Sequence, residues 1–333
     1  MQGTLIEYIE GPYKNITYEG IAEVELKDGK PKDTWMKDLS LNQRVGKFFE
    51  FCSKFDKRED RLLKEDYQIF SHRLHWHEHP FCDLMKGVTN DRDRLWYTIV
   101  FSFTNEHWGT LTKLMSDGVD STREHFKDNR HARSDLFQIY YPKDTLVKDW
   151  LLTGPLKAAN AMHHMLSRPK RWTMMEFAKT LNEHFVNEQG FRNSMYPCKN
   201  TARYVAMAYP HIVDPESILF GGTGHFDGMH QIFGGKNLNS KVKYEIDADG
   251  QFVPMNHFAE TWLSQMKYLV EHPDNPMTSQ KYLNVEDKTC LFYKHIAINA
   301  GVKRPTKRIP YNWIFPSTFD LAKRPDGVKV FVN

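Results

Sequence analysis

Hydrophobic and polar positions alternate near the N-terminus of this sequence. Ala22, Val24 and Leu26 are separated by acidic residues, and Asp28-Gly29 follows them as a turn signal. A period of two is typical of a half-buried strand, so residues 1–39 are predicted to be a β-rich lead.

The spacing becomes helical at residue 40. Ser40 and Gln43 have the spacing of a capping box, and apolar residues recur every three or four positions after them. A second apolar stripe runs from Leu95 to Leu114 and predicts one long helix that ends near Gly118.

Similar signals continue along the chain. Thr173 and Glu176 have the spacing of another capping box, with Gly190 as the predicted residue just past the helix end. Two more helices are predicted after Asn256 and after Asn284.

The last strand signal lies in residues 241–253, where alternation around an Asp-Gly pair predicts a hairpin. The pattern therefore predicts a mainly α protein with small β-hairpin embellishments. We expect a β-rich lead over 1–39, one helical domain over 40–310 and a C-terminal tail over 311–333.

Composition limits the possible partners. The 333 residues contain 45 Lys and Arg against 42 Asp and Glu, a net charge of +3, so nucleic acid would have to contact a local basic patch. Four scattered cysteines without a C-x-x-C pair suit a reducing compartment. Because neither a secretory signal nor a membrane-spanning apolar stretch is found, we expect a cytoplasmic protein with no membrane partner.

Residues 214–235 carry the most suggestive local signal. Asp214-Pro215 starts a predicted short helix, Gly222-Thr-Gly224 interrupts it, and a second helix resumes with Phe226. Two short helices joined by a G-x-G turn are typical of a helix-hairpin-helix DNA-binding element, because glycines let backbone amides approach a phosphate. A glycine-rich helical corner without a ligand is the alternative.

A histidine cluster is the second candidate. His72, His75, His77 and His79 precede Cys82, and imidazoles on one side of an extended segment could bind zinc, iron or copper. Because the chain has 16 histidines, a chance cluster on a solvated loop is the alternative, and no metal site is assigned to it.

Near the C-terminus, four cations occur within six residues: Lys303, Arg304, Lys307 and Arg308. With the aromatic residues that follow, they could neutralise phosphates and stack on a base, and a solvated face is the alternative. No motif of a serine hydrolase, a P-loop kinase, a zinc protease or a dinucleotide-binding enzyme occurs, which disfavours those classes.

Taken in order, these segments resemble the α-glutamyl/putrescinyl-thymine pyrophosphorylase family over about residues 44–310. Residues 103–105 (Phe-Thr-Asn) resemble a family motif, and residues 222–226 are similar to its Gly-x-Gly-x-Phe hairpin. Residues 256–269 and 284–294 resemble its two terminal helices. The family includes bacteriophage amino acid:DNA transferases and is related to the helical domain of 5-hydroxymethyluracil DNA kinases.

The resemblance implies a reaction on double-stranded phage DNA in the host cytoplasm. The substrate would be 5-hydroxymethyluracil that already carries a pyrophosphate ester, and an amino acid or polyamine would donate its amine. Such an enzyme needs a DNA clamp, a pocket for a flipped base, neutralisation of pyrophosphate and a base for the amine proton. No resident cofactor is implied, although Mg²⁺ could accompany the pyrophosphate.

The resemblance also suggests residue roles. Gly222, Gly224 and His225 would hold backbone phosphate, and Asn105 would read the pyrimidine edge. The candidates for accepting the amine proton are Glu106, Asp227, His257 and Glu260, and those for meeting phosphate are Lys303, Arg304, Lys307 and Arg308.

The family usually continues Phe-Thr-Asn with Tyr-Arg-Glu, whereas this chain has Glu106-His-Trp-Gly. The hairpin also resembles helix-hairpin-helix DNA glycosylases, so the predicted fold is a glycosylase-like helical domain and a glycosylase is the alternative function. No aspartate follows Phe252-Val253, where that class carries its catalytic residue, but Asp247 and Asp249 lie shortly before. A non-catalytic DNA-binding subunit of a modification complex is the third possibility.

Overall fold

The structure is a computed structural model, and the residues it describes are 26–27, 30–31, 36, 38–57, 80–104, 108–128, 154–168, 170–190, 195–219, 221–234, 244–246, 252–254 and 257–299. Within these residues the protein has ten α-helices and six short strands, which confirms the prediction of a mainly α chain. None of the described helices is long and apolar enough to cross a membrane.

The helices are α1 (Leu41–Lys57), α2 (Pro80–Gly87), α3 (Asp91–Phe103), α4 (Trp108–Asp128), α5 (Pro155–Met162), α6 (Met174–Glu183), α7 (Met195–Ala208), α8 (Thr223–Gly234), α9 (His257–Glu271) and α10 (Lys281–Asn299). A 3-10 helix over His163–Leu166 follows α5, and a π-helical turn over His184–Glu188 follows α6.

The strands form three two-stranded sheets. They are β1 (Leu26–Lys27), β2 (Lys30–Pro31), β3 (Trp172–Thr173), β4 (Val213–Asp214), β5 (Tyr244–Ile246) and β6 (Phe252–Pro254). The β1 and β2 strands pair antiparallel, β3 and β4 pair parallel, and β5 pairs with β6. Strands are therefore present on both sides of each predicted Asp-Gly turn, although the turns themselves lie outside the described residues.

Both predicted capping boxes are formed. The Ser40 backbone N–H donates to Gln43 Oε1 at 2.9 Å, and the Gln43 N–H donates to Ser40 Oγ at 3.3 Å. At the start of α6, Thr173 and Glu176 cap each other in the same way. Gly190 has a φ of 70°, the left-handed conformation predicted for a residue just past a helix end.

The prediction of one long helix from Leu95 onward is wrong, because two helices, α3 and α4, occupy this part of the chain. Helix α3 ends at Phe103, and the hydroxyl of the capping residue Thr104 donates to the Val100 carbonyl at 2.7 Å; α4 begins at Trp108. The predicted end near Gly118 is confirmed, since a φ of 78° at this glycine breaks α4.

Helix α10 begins at Lys281, four residues before the first residue predicted to follow Asn284. Gln280 precedes it with a φ of 48°, and Asn284, the predicted start, lies inside the first turn. The Asn284 amide nitrogen donates to the Ser279 carbonyl at 2.8 Å, so this side chain still holds the helix end. Asn256, the predicted start of α9, lies outside the described residues.

The chain divides into two compact units. Unit 1 contains α1, α8, α9 and α10 with β1 and β2, and unit 2 contains α2 to α7 with β3 and β4. The single helical domain proposed for residues 40–310 stays a prediction, because compact units of this kind occur both within and between domains.

Unit 1 has an apolar core to which all four of its helices contribute. The ring of Phe48 on α1 meets the ring of Phe292 on α10 edge-on at 5.5 Å between centroids. Met229 of α8 and Met266 of α9 are fully buried in the same cluster. The apolar stripes of these helices therefore face one another, as their helical spacing requires.

Unit 2 is built around α7. Every residue of this helix except Tyr196 is buried, and its Tyr204 ring lies 4.7 Å from the ring of Phe81 on α2. Phe81 in turn stacks on Phe101 of α3 at 4.4 Å. A helix covered on all sides is central to its unit rather than a surface element.

Tyr209 gives unit 2 a testable dependence on alkaline pH. Its phenol donates to the Met85 carbonyl, and burial raises the pKa of Tyr209 to about 12. Because the unfolded chain loses this proton near pH 10 and the folded chain does not, we expect the stability of unit 2 to fall by about 2–3 kcal/mol between pH 10 and 12. Tyr209→Phe should be slightly less stable at pH 7 and should lose that part of the alkaline decline, measured by urea unfolding. An unchanged alkaline decline in the variant would contradict the assignment.

Candidate functional site

The segment that was predicted to form a helical hairpin has a different structure. Residues 215–217 form a turn in which Asp214 Oδ1 accepts the Glu216 N–H at 3.1 Å, and residues 218–219 are not helical. Helix α8 begins at Thr223, so Gly224 lies within its first turn. The predicted first helix is therefore absent, and the G-x-G sequence does not join two helices.

The first half of α8 instead packs closely on α10 within unit 1. A Cβ atom on Gly224 would lie 2.5 Å from Cys290 Sγ, and one on Gly228 would lie well under 3.0 Å from the Thr289 carbonyl oxygen. The Gly222 backbone N–H donates to Glu286 Oε1 at 3.1 Å, and Glu286 is only 4% exposed. These glycines allow two helices to approach each other.

His225 lies at the centre of this contact and is completely buried. The Trp262 indole N–H donates to His225 Nε2 at 2.8 Å, so we infer that the ring hydrogen is on Nδ1. His225 Nδ1 lies 2.5 Å from Thr289 Oγ1, and the Thr289 hydroxyl donates to the Val285 carbonyl at 2.8 Å. We call the chain of bonds through Trp262, His225 and Thr289 the His225 network.

These contacts correct three predicted DNA-binding roles. The Gly222 N–H is bound by a buried carboxylate, Gly224 faces Cys290, and both ring nitrogens of His225 are used inside unit 1. A phosphate would have to displace these partners to reach the same atoms. In this structure the glycines allow α8 to pack closely on α10.

Asp227 remains a candidate proton acceptor. Among the predicted catalytic residues, it alone has a side chain that the structure describes, and it is 9% exposed on α8. Burial, and then the nearby charge of Asp227, raise the pKa of Tyr293 on α10. A carboxylate beside a neutral phenol in a mostly dry setting can accept a proton from a bound amine.

Asp227 belongs to a group of buried polar residues on α8 and α10. The group comprises His225, Asp227, Gln231, Asn284, Glu286, Lys288 and Thr289. Of these residues, only His225 and Asp227 were predicted from the sequence to have a chemical role. Glu286, Thr289 and Tyr293 recur at helical spacing on α10, so a search for polar residues on one helical face would have found the partners of α8.

The side chains of the remaining predicted residues lie outside the described part of the structure. His257 and Glu260 lie on α9, but their side chains are outside the described residues. The other predicted residues outside the description are Asn105, Glu106, Asp247, Asp249, Lys303, Arg304, Lys307 and Arg308. The four histidines of the predicted metal cluster also lie outside it, whereas Cys82 is buried in α2. Among the described residues, no three His, Cys, Asp or Glu side chains could hold a metal ion.

Comparisons of the chain with protein-family models, with curated proteins and with solved structures give no match.

Proposed function

We propose that this protein is a transferase that acts on modified thymine bases in DNA. Its substrate would be 5-hydroxymethyluracil carrying a pyrophosphate ester in double-stranded phage DNA, and its donor an amino acid or a polyamine. The proposal includes a cytoplasmic location, in the host cell if the protein is viral.

The proposed reaction is a displacement at the C5 methylene carbon. The nitrogen lone pair of the amine forms a bond to this carbon, and the bond from carbon to the ester oxygen breaks. The electron pair of that bond leaves with pyrophosphate, and the amine loses one proton to a base. Any Mg²⁺ would arrive with the pyrophosphate as part of the substrate.

One observation carries the proposal. Three of the segments on which the family resemblance rests, at residues 222–226, 256–269 and 284–294, meet in unit 1 through the His225 network. Trp262 and Thr289, which bind His225 from two sides, come from the second and third of these segments. Segments that contact one another in this way can act as one functional unit, which supports treating the resemblance as a whole.

The residues proposed for each role are the predicted ones that the structure does not contradict. Asp227 is the first choice for the base that accepts the amine proton, and Glu106, His257 and Glu260 remain candidates. Asn105 remains the candidate for reading the pyrimidine edge. The cations proposed to meet phosphate are Lys303, Arg304, Lys307 and Arg308.

A specific fold within the mainly α class is part of the same proposal. A helix-hairpin-helix DNA-glycosylase-like domain is supported by the sequence resemblance and by the mainly helical structure. Residues 215–219 do not form the first helix of such a hairpin.

The test is an assay on DNA that contains pyrophosphorylated 5-hydroxymethyluracil. The protein is incubated with this DNA and with single amino acids or polyamines, and the digested nucleosides are identified by mass spectrometry. We expect a new amine-bearing nucleoside and one pyrophosphate released for each base modified. Absence of a new nucleoside with every amine would overturn the proposal, and free base with abasic sites would favour the glycosylase.

Asp227→Asn tests the proposed base. We expect its turnover to fall by about 100-fold or more, because the amide keeps the shape of the side chain but cannot accept a proton. Asp274→Asn is the matched control, since Asp274 is a carboxylate of the same unit whose side chain is 83% exposed. Turnover of Asp227→Asn equal to that of the control, with both variants folded, would exclude Asp227 as the base.

A further inference from the structure

Unit 2 contains a basic segment that no motif marks in the sequence. Residues 150–175 include no Asp or Glu, and their lysines and arginines are Lys157, Arg168, Lys170 and Arg171. The charge of +4 in this segment exceeds the net charge of +3 of the whole chain. A nearly neutral protein can attract a polyanion only through a local concentration of charge of this kind.

The fold exposes all four cations. Helix α5 and the 3-10 helix after it pack on α3, and their apolar residues are buried. Lys157 lies at an exposed position of α5, and Arg168 lies at another just past the 3-10 helix, roughly 17 Å further along the segment. The side chains of Lys170 and Arg171 are 54% and 56% exposed.

Two of the four cations are in ion pairs at the surface. Lys170 Nζ lies 3.5 Å from Glu176 Oε1, and an Arg171 guanidinium nitrogen lies 2.9 Å from Asp214 Oδ1. Exposed ion pairs contribute little to stability, because water screens the attraction and two side chains must be ordered. A phosphate can therefore replace either carboxylate at small cost.

Lys157 and Arg168 are not neutralised by a neighbour. Within the described residues neither of them has an ion-pair partner. Asp91 of α3 reaches the segment by accepting from the Ser167 hydroxyl, but it is already paired with Arg94 at 2.7 Å. The positive charge at Lys157 and Arg168 is therefore available to a ligand.

The segment lacks the exposed apolar side chains that other partners need. Protein interfaces have an apolar and aromatic centre, and helices that bind membranes insert apolar residues. None of the large hydrophobic side chains that are exposed in the described residues belongs to the segment; they are Leu41, Tyr196, Leu263 and Tyr268. Lys, Arg and Asn side chains are sufficient for phosphate, and Asn160 is exposed between Lys157 and Arg168.

We propose that this basic segment binds the phosphate backbone of double-stranded DNA without reading its sequence. Each strand has one phosphate about every 3.4 Å along the helix axis, so a segment of roughly 17 Å can meet several of them. Contacts to phosphate position a protein on the duplex but carry no sequence information. The inference rests on the proposed function in taking DNA as the partner, and it assigns unit 2 to holding the substrate.

The experiment measures how binding depends on salt. Fluorescence anisotropy follows the full-length protein on a labelled duplex of about 20 base pairs at about 25 to 200 mM NaCl. In the double variant Lys157→Gln/Arg168→Gln, we expect the plot of log K against log[NaCl] to be less steep by about 2, and the affinity at about 50 mM to fall at least tenfold. An unchanged slope and affinity would overturn the inference, as would a wild-type protein that does not bind the duplex at the lowest salt.

Lys86→Gln combined with Lys267→Gln is the matched control. Both lysines are exposed and lie outside the segment, so the control removes the same charge elsewhere. We expect its affinity to fall less than about threefold, because salt screens charges that do not contact the DNA. Equal losses in the two double variants would show that only net charge matters and would overturn the inference.

A second double variant separates charge from folding. Lys157→Arg with Arg168→Lys keeps both charges, and phosphate accepts hydrogen bonds from either side chain, so we expect nearly wild-type binding. Loss of binding in this variant would contradict a role that depends on charge.

Phosphatidylserine vesicles test a different anionic surface. We expect weaker binding to them than to the duplex at the same salt, because the segment has no apolar residue to insert. Binding to the vesicles with none to the duplex would overturn the inference in favour of a membrane.

The transfer assay distinguishes this inference from the proposed function. If Lys157→Gln/Arg168→Gln loses duplex binding as expected but the wild-type protein transfers no amine, the proposed function fails and the DNA-binding segment stands. If the wild-type protein modifies DNA and the double variant has the wild-type KM for DNA, the DNA-binding segment fails and the proposed function stands.

Discussion

Gly228→Ala is expected to lower the free energy of unfolding by about 3 kcal/mol. The added Cβ would lie well under 3.0 Å from the Thr289 carbonyl oxygen, a separation that real Cβ atoms essentially never show. Because this oxygen belongs to the α10 backbone, no side-chain rotation can relieve the contact. The two helices must separate, and the loss is measured by urea unfolding.

Gly46→Ala is the matched control for Gly228→Ala. Gly46 also lies within a helix of unit 1, but a Cβ there would meet nothing within 4 Å. We expect this variant to be more stable by up to about 1 kcal/mol, because alanine favours the helix over glycine. Effects of the same sign and size in the two variants would contradict the close packing of α8 on α10.

Gly224→Ala tests the same contact from its other end. Its nearest neighbour is Cys290 Sγ, which is a side-chain atom, so truncation can make room for the new methyl group. We therefore expect Cys290→Ala to restore much of the stability lost in Gly224→Ala. No second substitution of this kind is available for Gly228, whose closest neighbour is backbone.

The sequence predicted the parts of this fold that depend on local interactions. Both capping boxes join residues three positions apart, and the conformations of Gly118 and Gly190 depend mainly on their own backbone. The apolar stripes of α1 and α6 were also recognisable, because a helix that buries one face must repeat its apolar residues at helical spacing.

The glycines of α8 show why the candidate site was only partly predictable. A glycine permits close approach of the backbone to any partner, whether a phosphate or another helix. The partners that decide between these uses are Trp262 and Thr289, which lie 37 and 64 residues from His225 in the chain. No local pattern contains that information. The π-helical turn at His184–Glu188 was not predicted either, because the spacing of its apolar residues also fits an α-helix.

Trp262→Phe is expected to lower the free energy of unfolding by about 2–3 kcal/mol, the second large effect in unit 1. Phenylalanine keeps an aromatic ring in the space but removes the indole N–H. His225 Nε2 would then be an acceptor without its donor, on a side chain that is completely buried in the intact protein. Urea unfolding at pH 7.5 is the measurement.

Trp96→Phe controls for the change in ring size. Trp96 is 8% exposed on α3, and within the described residues its indole nitrogen has no hydrogen-bond partner. This substitution therefore removes packing area without breaking a bond, and we expect a loss of about 1 kcal/mol. A similar loss in Trp96→Phe and Trp262→Phe would mean that the bond to His225 contributes little.

A double-mutant cycle isolates that bond. When His225 is replaced by leucine, the indole N–H of Trp262 has already lost its acceptor, so Trp262→Phe should then cost only the roughly 1 kcal/mol of lost ring packing. The difference between the two backgrounds gives the coupling between Trp262 and His225, which we expect to be about 1–2 kcal/mol. Strict additivity would contradict the hydrogen-bond chain from Trp262 through His225 to Thr289, and with it the contact that joins α8, α9 and α10.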